Sequence, residues 1–313
     1  MTEAQAARTL TELSADIHAS SRSLLIEQNS QLRQTALHRV RFNEEDGGWI
    51  DLFGDRTEFE DSNSIPGLKG DSFGFLTGAD YQLDNQWRLG GFAGYSDNQF
   101  EQHSANNGES DSLYLGGYAN RSWGALNVNL GLSYGWHTVE TERRAINQTL
   151  EAEYDAYSMQ AFAETSYHIA LDNGWLQPFI ELALVEQDQE SFKETGGIAA
   201  LNVSADKTET GFTTLGMRAG HQFTFNKVST EVYSSISWRH AFLDVESENT
   251  QHFVNSDYRF QVVGIPVATN SGLFELGLGM QLSESTRLTV NYRGNFADDS
   301  NIHTVNAQLG VAF

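Results

Sequence analysis

Residues 126–137 read Leu-Asn-Val-Asn-Leu-Gly-Leu-Ser-Tyr-Gly-Trp-His. Leu126, Val128, Leu130, Leu132, Tyr134 and Trp136 share one face, and Asn127, Asn129, Ser133 and His137 share the other. A period of two with one apolar side is a strand, and its length suits a tilted membrane strand of about 9–11 residues, roughly twice the usual strand of a soluble sheet. The pattern recurs toward the C-terminus. Phe274, Leu276, Leu278, Met280 and Leu282 oppose Glu275, Gly277, Gly279 and Gln281; Leu288, Val290, Tyr292 and Phe296 oppose Arg287, Thr289, Asn291, Arg293 and Asn295; Val305, Ala307, Leu309, Val311 and Phe313 oppose Thr304, Asn306 and Gln308.

Counted along the chain, twelve such strands start near Gly48, Asp71, Trp87, Ser112, Ala125, Tyr154, Trp175, Gly211, Val228, Gly272, Thr286 and Ile302. Those near Trp87 and Ser112 carry glycine on both faces, which leaves their orientation open. The connections alternate. Leu83–Gln86, Trp123–Gly124, Ala170–Gly174, Thr224–Lys227 and Ser283–Ser285 are short; Thr57–Gly70, Glu101–Asp111, Arg144–Gln148, Glu190–Thr208, Phe242–Asn270 and Ala297–Asn301 are longer. A soluble sandwich gives no reason for that alternation, whereas an outer-membrane barrel has short turns on one side and longer loops on the other. The expected fold is therefore an all-β membrane protein, a 12-stranded antiparallel barrel.

Composition points the same way. The chain has 313 residues, 39% hydrophobic and only 19% charged, with 28 Gly, 19 Phe, 11 Tyr, 6 Trp and 3 Pro. A disordered acidic chain would be poor in aromatics, and a soluble domain would carry more charge. A balance of 19 Lys and Arg against 42 Asp and Glu, net charge −23, excludes nucleic acid as a partner. The absence of cysteine removes disulfides, thiolate metal sites and a thiol nucleophile. Acidic residues crowd the longer loops, as at Asp55, Glu58, Glu60 and Asp61 and at Asp244, Glu246 and Glu248. They form either a solvated loop face or a crown that reaches anionic lipopolysaccharide through divalent cations.

A second regime precedes the strands. From Ala4 to Arg41 there is no glycine or proline, and Leu10, Leu13, Ile17, Leu24, Leu32 and Leu37 recur at mostly helical spacing. Ser20, Ser21 and Ser23 are its weakest point, because serine hydroxyls compete for backbone groups. The stripe is too sparse for lipid and too apolar to be left wholly in water, so the helix belongs inside the barrel, ended by Glu44, Glu45, Asp46, Gly47 and Gly48. The expected division is residues 1–41 as a helix plugging the pore and 42–313 as the barrel. No apolar run of seven marks a signal peptide in the first twenty residues, so the sequence reads as an internal or C-terminal piece of a longer precursor with Met1 an expression start.

The helix LSADIHASSRSLLIEQNSQLRQTALHRV (13–40), the acidic Gly-Gly linker, the first strand GWIDLFGDRTEF (48–59) and the terminal phenylalanine together resemble the C-terminal translocator domain of an autotransporter, the type V secretion system. The helix is similar to linkers that follow subtilisin-like serine protease passengers. The resemblance covers essentially the whole chain. It implies a helix threaded through the lumen, an outer-membrane location in a Gram-negative bacterium, and secretion of an N-terminal passenger to the cell surface. It also implies extracellular loops, both barrel termini periplasmic, outer-membrane lipids and lipopolysaccharide as surroundings, and a monomer. Val305, Ala307, Leu309, Val311 and Phe313 resemble the targeting signature read by the β-barrel assembly machinery.

On these strand phases Glu164, Glu181, Arg218, Glu231, Arg239, Glu275, Arg287 and Arg293 point inward. They can pair with one another and with Arg33, His38, Arg39 and Arg41 of the helix; Glu181, Glu231 and Glu275 are the expected partners of its arginines. Some autotransporters free their passenger by cyclisation of a helix asparagine, and Asn29, the sole asparagine of the helix, is the one candidate for such linker cleavage. Other chemistry finds little support. Gly70-Asp71-Ser72-Phe73-Gly74 lacks the spacing of a nucleophile elbow and reads as the start of a strand with Phe73, Phe75 and Tyr81 outward. The nine histidines show no close ligand spacing, so neither a metal nor another cofactor is expected. Gly277-Leu278-Gly279 reads as room for an inserted helix, and the sequons at Asn120, Asn147 and Asn202 as chance. The competing readings are an outer-membrane enzyme, a phospholipase or protease needing a Ser–His or Asp–His constellation that the strand phases do not assemble, and a passive porin, which the N-terminal helix argues against.

Overall fold

The computed structural model describes residues 13–42, 46–62, 65–83, 87–102 and 106–313. Helix α1 (Ile17–Phe42) precedes twelve long strands: β1 (Gly47–Phe59), β2 (Leu68–Gln82), β3 (Trp87–Gln102), β4 (Asn106–Trp123), β5 (Leu126–Ala145), β6 (Gln148–Tyr167), β7 (Gly174–Gln189), β8 (Asp206–Phe225), β9 (Val228–Leu243), β10 (Asn270–Gln281), β11 (Thr286–Phe296) and β12 (Ser300–Ala312). Each pairs antiparallel with the next, and β12 returns to β1 with Phe53 opposite Asn306, so the sheet has no free edge. A closed sheet is one of only two ways to satisfy every backbone polar group in lipid. No described helix is long and apolar enough to cross a membrane.

Alternation sorts the residues as the pleat requires. Leu126, Leu130, Leu132, Tyr134 and Trp136 face outward, as do Phe73, Phe75 and Tyr81, while Asn129, Ser133 and His137 are buried. The strands near Trp87 and Ser112 acquire an orientation from aromatics that fill the space of glycines. A Cβ on Gly90 would lie 2.2 Å from the Tyr118 ring and one on Gly116 2.3 Å from Phe92. Phe92 and Tyr118 therefore point into the lumen over residues that leave room for them. Gly277 behaves likewise. Its Cβ would meet Tyr233 at 2.1 Å, and that of Gly279 would meet the Arg287 guanidinium at 2.5 Å. These glycines make room for neighbouring strand side chains rather than for the helix.

The expected loop lengths need correction. Of the connections read as longer, that around Arg144–Gln148 is a tight turn at Ile146 and Asn147, both left-handed, with φ of 51° and 57°. β4 starts at Asn106, β6 at Gln148 and β8 at Asp206, each five or six residues before the sequence-derived start. Above the apolar band the outward positions of β5 become Thr138, Glu140, Glu142 and Arg144, yet the ladder continues as Glu140↔Glu153 and Glu142↔Glu151. The apolar alternation ends there; the hydrogen bonding does not. The long connections are 190–205 and 244–269, whose strands Phe192–Lys193, Leu201–Val203, Glu248–Phe253 and Arg259–Val263 form a small separate sheet at that end.

The helix departs from expectation at two places. Ala15 is left-handed, φ 53°, so the helical run does not continue unbroken toward the N-terminus from Ile17; the stretch before Leu13 lies outside the described residues, as do Glu44 and Glu45. The serine cluster, by contrast, does not break it. Ser21 donates to the His18 carbonyl at 3.1 Å, and Ser20 and Ser23 engage the backbone of Ile265, so the hydroxyls find partners without unwinding the turn.

Candidate functional site

Helix α1 enters the barrel between the long loops and ends near the opposite, turn-bearing end. Beside the buried Leu24, Leu25, Ile26, Leu32 and Leu37 it carries many polar residues, of which Arg22, Glu27, Asn29, Arg33, His38 and Arg39 are all buried. Desolvated charges are tolerated only when paired and hydrogen-bonded, and the lumen supplies the partners. Arg33 donates to Glu181 at 2.6 Å and also to Gln160. Arg39 donates to both oxygens of Asp80, at 2.5 and 3.0 Å. Arg41 reaches Glu164 from Nε at 3.1 Å and lies 3.7 Å from Glu181. Arg218 shares Glu164 with Arg41, so its link to the helix runs through that carboxylate. From the other direction Arg239 grips Glu27 at 2.7 and 2.8 Å. His38 Nε2 meets the Tyr233 hydroxyl at 2.7 Å, and Arg293 lies 3.5 Å from Thr35.

The remaining inward charges have barrel partners instead. Glu231 accepts from Arg287 at 2.6 Å and from Trp175 Nε1 at 2.8 Å, and Glu275 accepts from Asn291 at 2.9 Å. The helix arginines pair with Glu181, Asp80 and Glu164 instead. Asp80 takes the place expected for one of these carboxylates. It also accepts from Arg88 at 2.8 Å and Tyr118 at 2.9 Å. The signal for Asp80 was present in the sequence, on the inward phase opposite Tyr81; that for Glu27 lay on the helix, where only the lumen wall reveals that it needs a cation.

At the loop end the separate sheet closes over the first turns of α1. Arg22 donates to Asp206 at 3.0 Å, to the Glu248 carbonyl at 2.9 Å and to Asn249 at 3.1 Å. Glu194, in loop 190–205, binds His18 at 2.8 Å and Arg143 at 2.6 Å. Burial pushes the Glu194 carboxyl up, but the His18 and Arg143 contacts outweigh it and hold its pKa at about 2. Nothing in the sequence pattern pointed to Glu194, because its partners are 51 and 176 residues away.

Asn29 lies in unbroken helix. Its Nδ2 donates to the Leu25 carbonyl at 2.9 Å, its own carbonyl accepts from Gln160 at 3.0 Å, and its Oδ1 accepts from Ser158 at 3.3 Å. Behind Ser158 stands a chain that strand phase alone did not assemble: His137 bridges Ser158 at 3.0 Å and Ser112 at 2.8 Å. It is buried in the lumen wall under the helix, away from the barrel surface and rim. On β12, Val305, Leu309 and Val311 face outward, Ala307 is half-buried, and Phe313 is exposed at the end of the chain.

Comparison with known proteins places this arrangement. Residues 48–293 match the family model of the autotransporter β-domain. An extracellular serine protease of Serratia marcescens is 28% identical over 317 residues; the match takes in 96% of this chain and 30% of the protease, so the chain spans about a third of the length of that relative. Among solved structures, the translocator domain of the autotransporter NalP from Neisseria meningitidis superposes with a TM-score of 0.77 at 12% identity, over 94% of this chain and 97% of that one. The β-domain of the Bordetella autotransporter BrkA gives 0.68 at 19% identity, over 86% and 100%.

Proposed function

The chain belongs to the autotransporter β-domain family, and on that premise we propose that residues 42–313 are the outer-membrane barrel and residues 1–41 the linker left in its lumen once an N-terminal passenger has been secreted to the cell surface. The observation that carries this reading is the helix itself. Buried pairs to Glu181, Asp80, Glu164 and Arg239 tie it to four different strands, an arrangement that suits the stalled end of a translocated chain and leaves little use for a free diffusion channel.

The barrel serves export and carries no catalysis of its own; the passenger is a serine protease, as in the Serratia relative. The loop end is extracellular, beside lipopolysaccharide, and the turn end with both barrel termini is periplasmic. Assembly proceeds from β12, whose outward Val305, Leu309, Val311 and terminal Phe313 present a strand to the assembly machinery, and the working unit is a monomer. Asn29 serves as a packed lumen residue, because its amide nitrogen is already committed to Leu25.

An epitope fused ahead of residue 1 tests the reading. Protease added to intact cells should remove it when the barrel is complete, and should not when Phe313 and the preceding strand are deleted. An epitope that stays protected although the complete barrel has assembled would refute the translocator role.

A further inference from the structure

Helix α1 fills the lumen unevenly. It approaches β3 to β7 most closely, and side chains such as Gln31 to Asn306 at 3.2 Å and Arg239 to Glu27 bridge the wider side toward β8–β12 and β1. Between them runs a crevice of about 80 Å³ walled by Gln31, Thr214, Ser235 and Asn295 and, in part, by Phe179, Leu273 and Ile302. At about 10–15 Å³ for each water the volume admits several waters, and the charged Glu27, Arg41, Arg239 and Arg293 on the same wall supply partners for them. Arg41 lines both this crevice and a vestibule of about 1360 Å³ that opens at the turn end.

The other end is different in kind. There Leu24 and Leu25 of the helix pack with Phe59, Leu68, Phe100 and Ile265 in one buried cluster, whereas the apolar contacts farther down, Leu32 and Leu37 with Phe92, Tyr114 and Phe162, lie on the side of the helix away from the crevice. The loop that brings Ile265 is pinned to the helix backbone. Ser23 donates to the Ile265 carbonyl, the Ile265 amide donates to Ser20 at 3.1 Å, and a Cβ on Gly264 would fall 2.4 Å from the Ala19 carbonyl carbon. Gly70 leaves the same tight fit on β2, where a Cβ would lie 3.2 Å from Leu24.

We propose that the permeability seal is this apolar collar at the loop end, formed by the first turns of the helix and the Gly264–Ala268 segment, and that the polar lumen below it is an aqueous crevice continuous with the turn end. The proposal rests on the translocator reading for its sidedness. A narrow apolar constriction blocks ions by excluding water, whereas a polar crevice of the same width stays wet. The helix therefore has two jobs. Residues near 17–26 close the pore, and residues 27–42 anchor it through buried ion pairs without closing it.

Cysteine accessibility in the full chain, reconstituted with known orientation, separates the two regions. Asn295→Cys and Thr214→Cys should react with a small charged methanethiosulfonate from the turn side and stay protected from the loop side. Protection from both sides, or reaction from the loop side, would overturn the proposal. In planar bilayers Ile265→Asp should raise conductance on the order of tenfold while the helix stays in place, because a wetted collar no longer excludes ions. Thr214→Ala, in the crevice, should leave it unchanged. Should Ile265→Asp not assemble, the accessibility result stands on its own. A chain beginning at residue 44 distinguishes the two levels. If it conducts no better than the full chain, the plugging role itself fails; if it conducts well but Ile265→Asp, assembled, does not, only the collar fails.

Discussion

The Arg39 guanidinium of the linker helix donates to both carboxylate oxygens of Asp80 on β2, at 2.5 and 3.0 Å, with both groups buried. Asp80 also receives Arg88 and Tyr118, so one carboxylate compensates two cations inside the barrel. Removing one partner of a buried pair costs more than the pair gains, because the remaining charge has lost its solvation twice over. Asp80→Ala should therefore destabilise the barrel by about 3–5 kcal/mol in denaturant titrations. A loss below about 1 kcal/mol would match a solvent-exposed pair and contradict the burial seen here.

Lipid and lumen faces should respond differently to substitution. Leu130 points outward from the middle of the apolar run of β5 and is 41% exposed. Leu130→Arg should cost about 2–4 kcal/mol in refolding into lipid. Ser235→Ala, on the crevice wall between Arg218 and Glu275, adds no bulk and should cost less, about 1 kcal/mol. Asn129 is no neutral comparison, although it is lumenal: it is packed against Asn120 and Glu164, and an arginine there would crowd Arg41 and Arg218.

Glu194 gives the loop sheet a pH dependence whose sign is fixed. Its carboxyl is lowered in the folded protein from 4.5 to about 2, so its contribution is fully present above pH 4.5 and is lost as the pH falls toward about 2. Proteolysis of loop 190–205 should stay slow from neutral pH down to about 4.5 and rise across the window below it. In Glu194→Gln the loop should be cut faster at neutral pH, with the acid step reduced. An unchanged acid step in that variant would assign it to another group.

Sidedness is testable because the chain has no cysteine. Asp257→Cys, exposed in the long connection 244–269, should react with an impermeant maleimide on intact cells, whereas Asn173→Cys, exposed in the turn before β7, should react only after the outer membrane is opened. The reverse result would invert the barrel.

The strand count, and the facing of strands such as Leu126 to Trp136 and Phe274 to Leu282, were legible because lipid imposes a one-dimensional rule, outward residues being apolar at every second position; the strands near Trp87 and Ser112, with glycine on both faces, took their facing only from Phe92 and Tyr118 in the folded barrel. The rule stops working where the lipid stops. β4, β6 and β8 continue past the apolar band on carboxylates and threonines, so their first turns read as loop. Alternation also bears on the inward charges: Glu164, Glu181 and Arg239 fall on the phase opposite the outward leucines and are buried.

The sequence by itself determined the barrel, its strand number, which side chains face lipid on the strands with clean alternation, and that a helix had to lie within it, since each follows from local periodicity acting against one solvent. Tertiary structure alone decided which charges meet. Arg39 finds Asp80 rather than Glu231 or Glu275, Glu27 finds Arg239 across 212 positions, and loop 244–269 folds back to seal the helix with Ile265. Those pairings depend on the depth and rotation of the helix in a closed lumen, and the sum of many weak contacts fixes that geometry where no short stretch of chain encodes it.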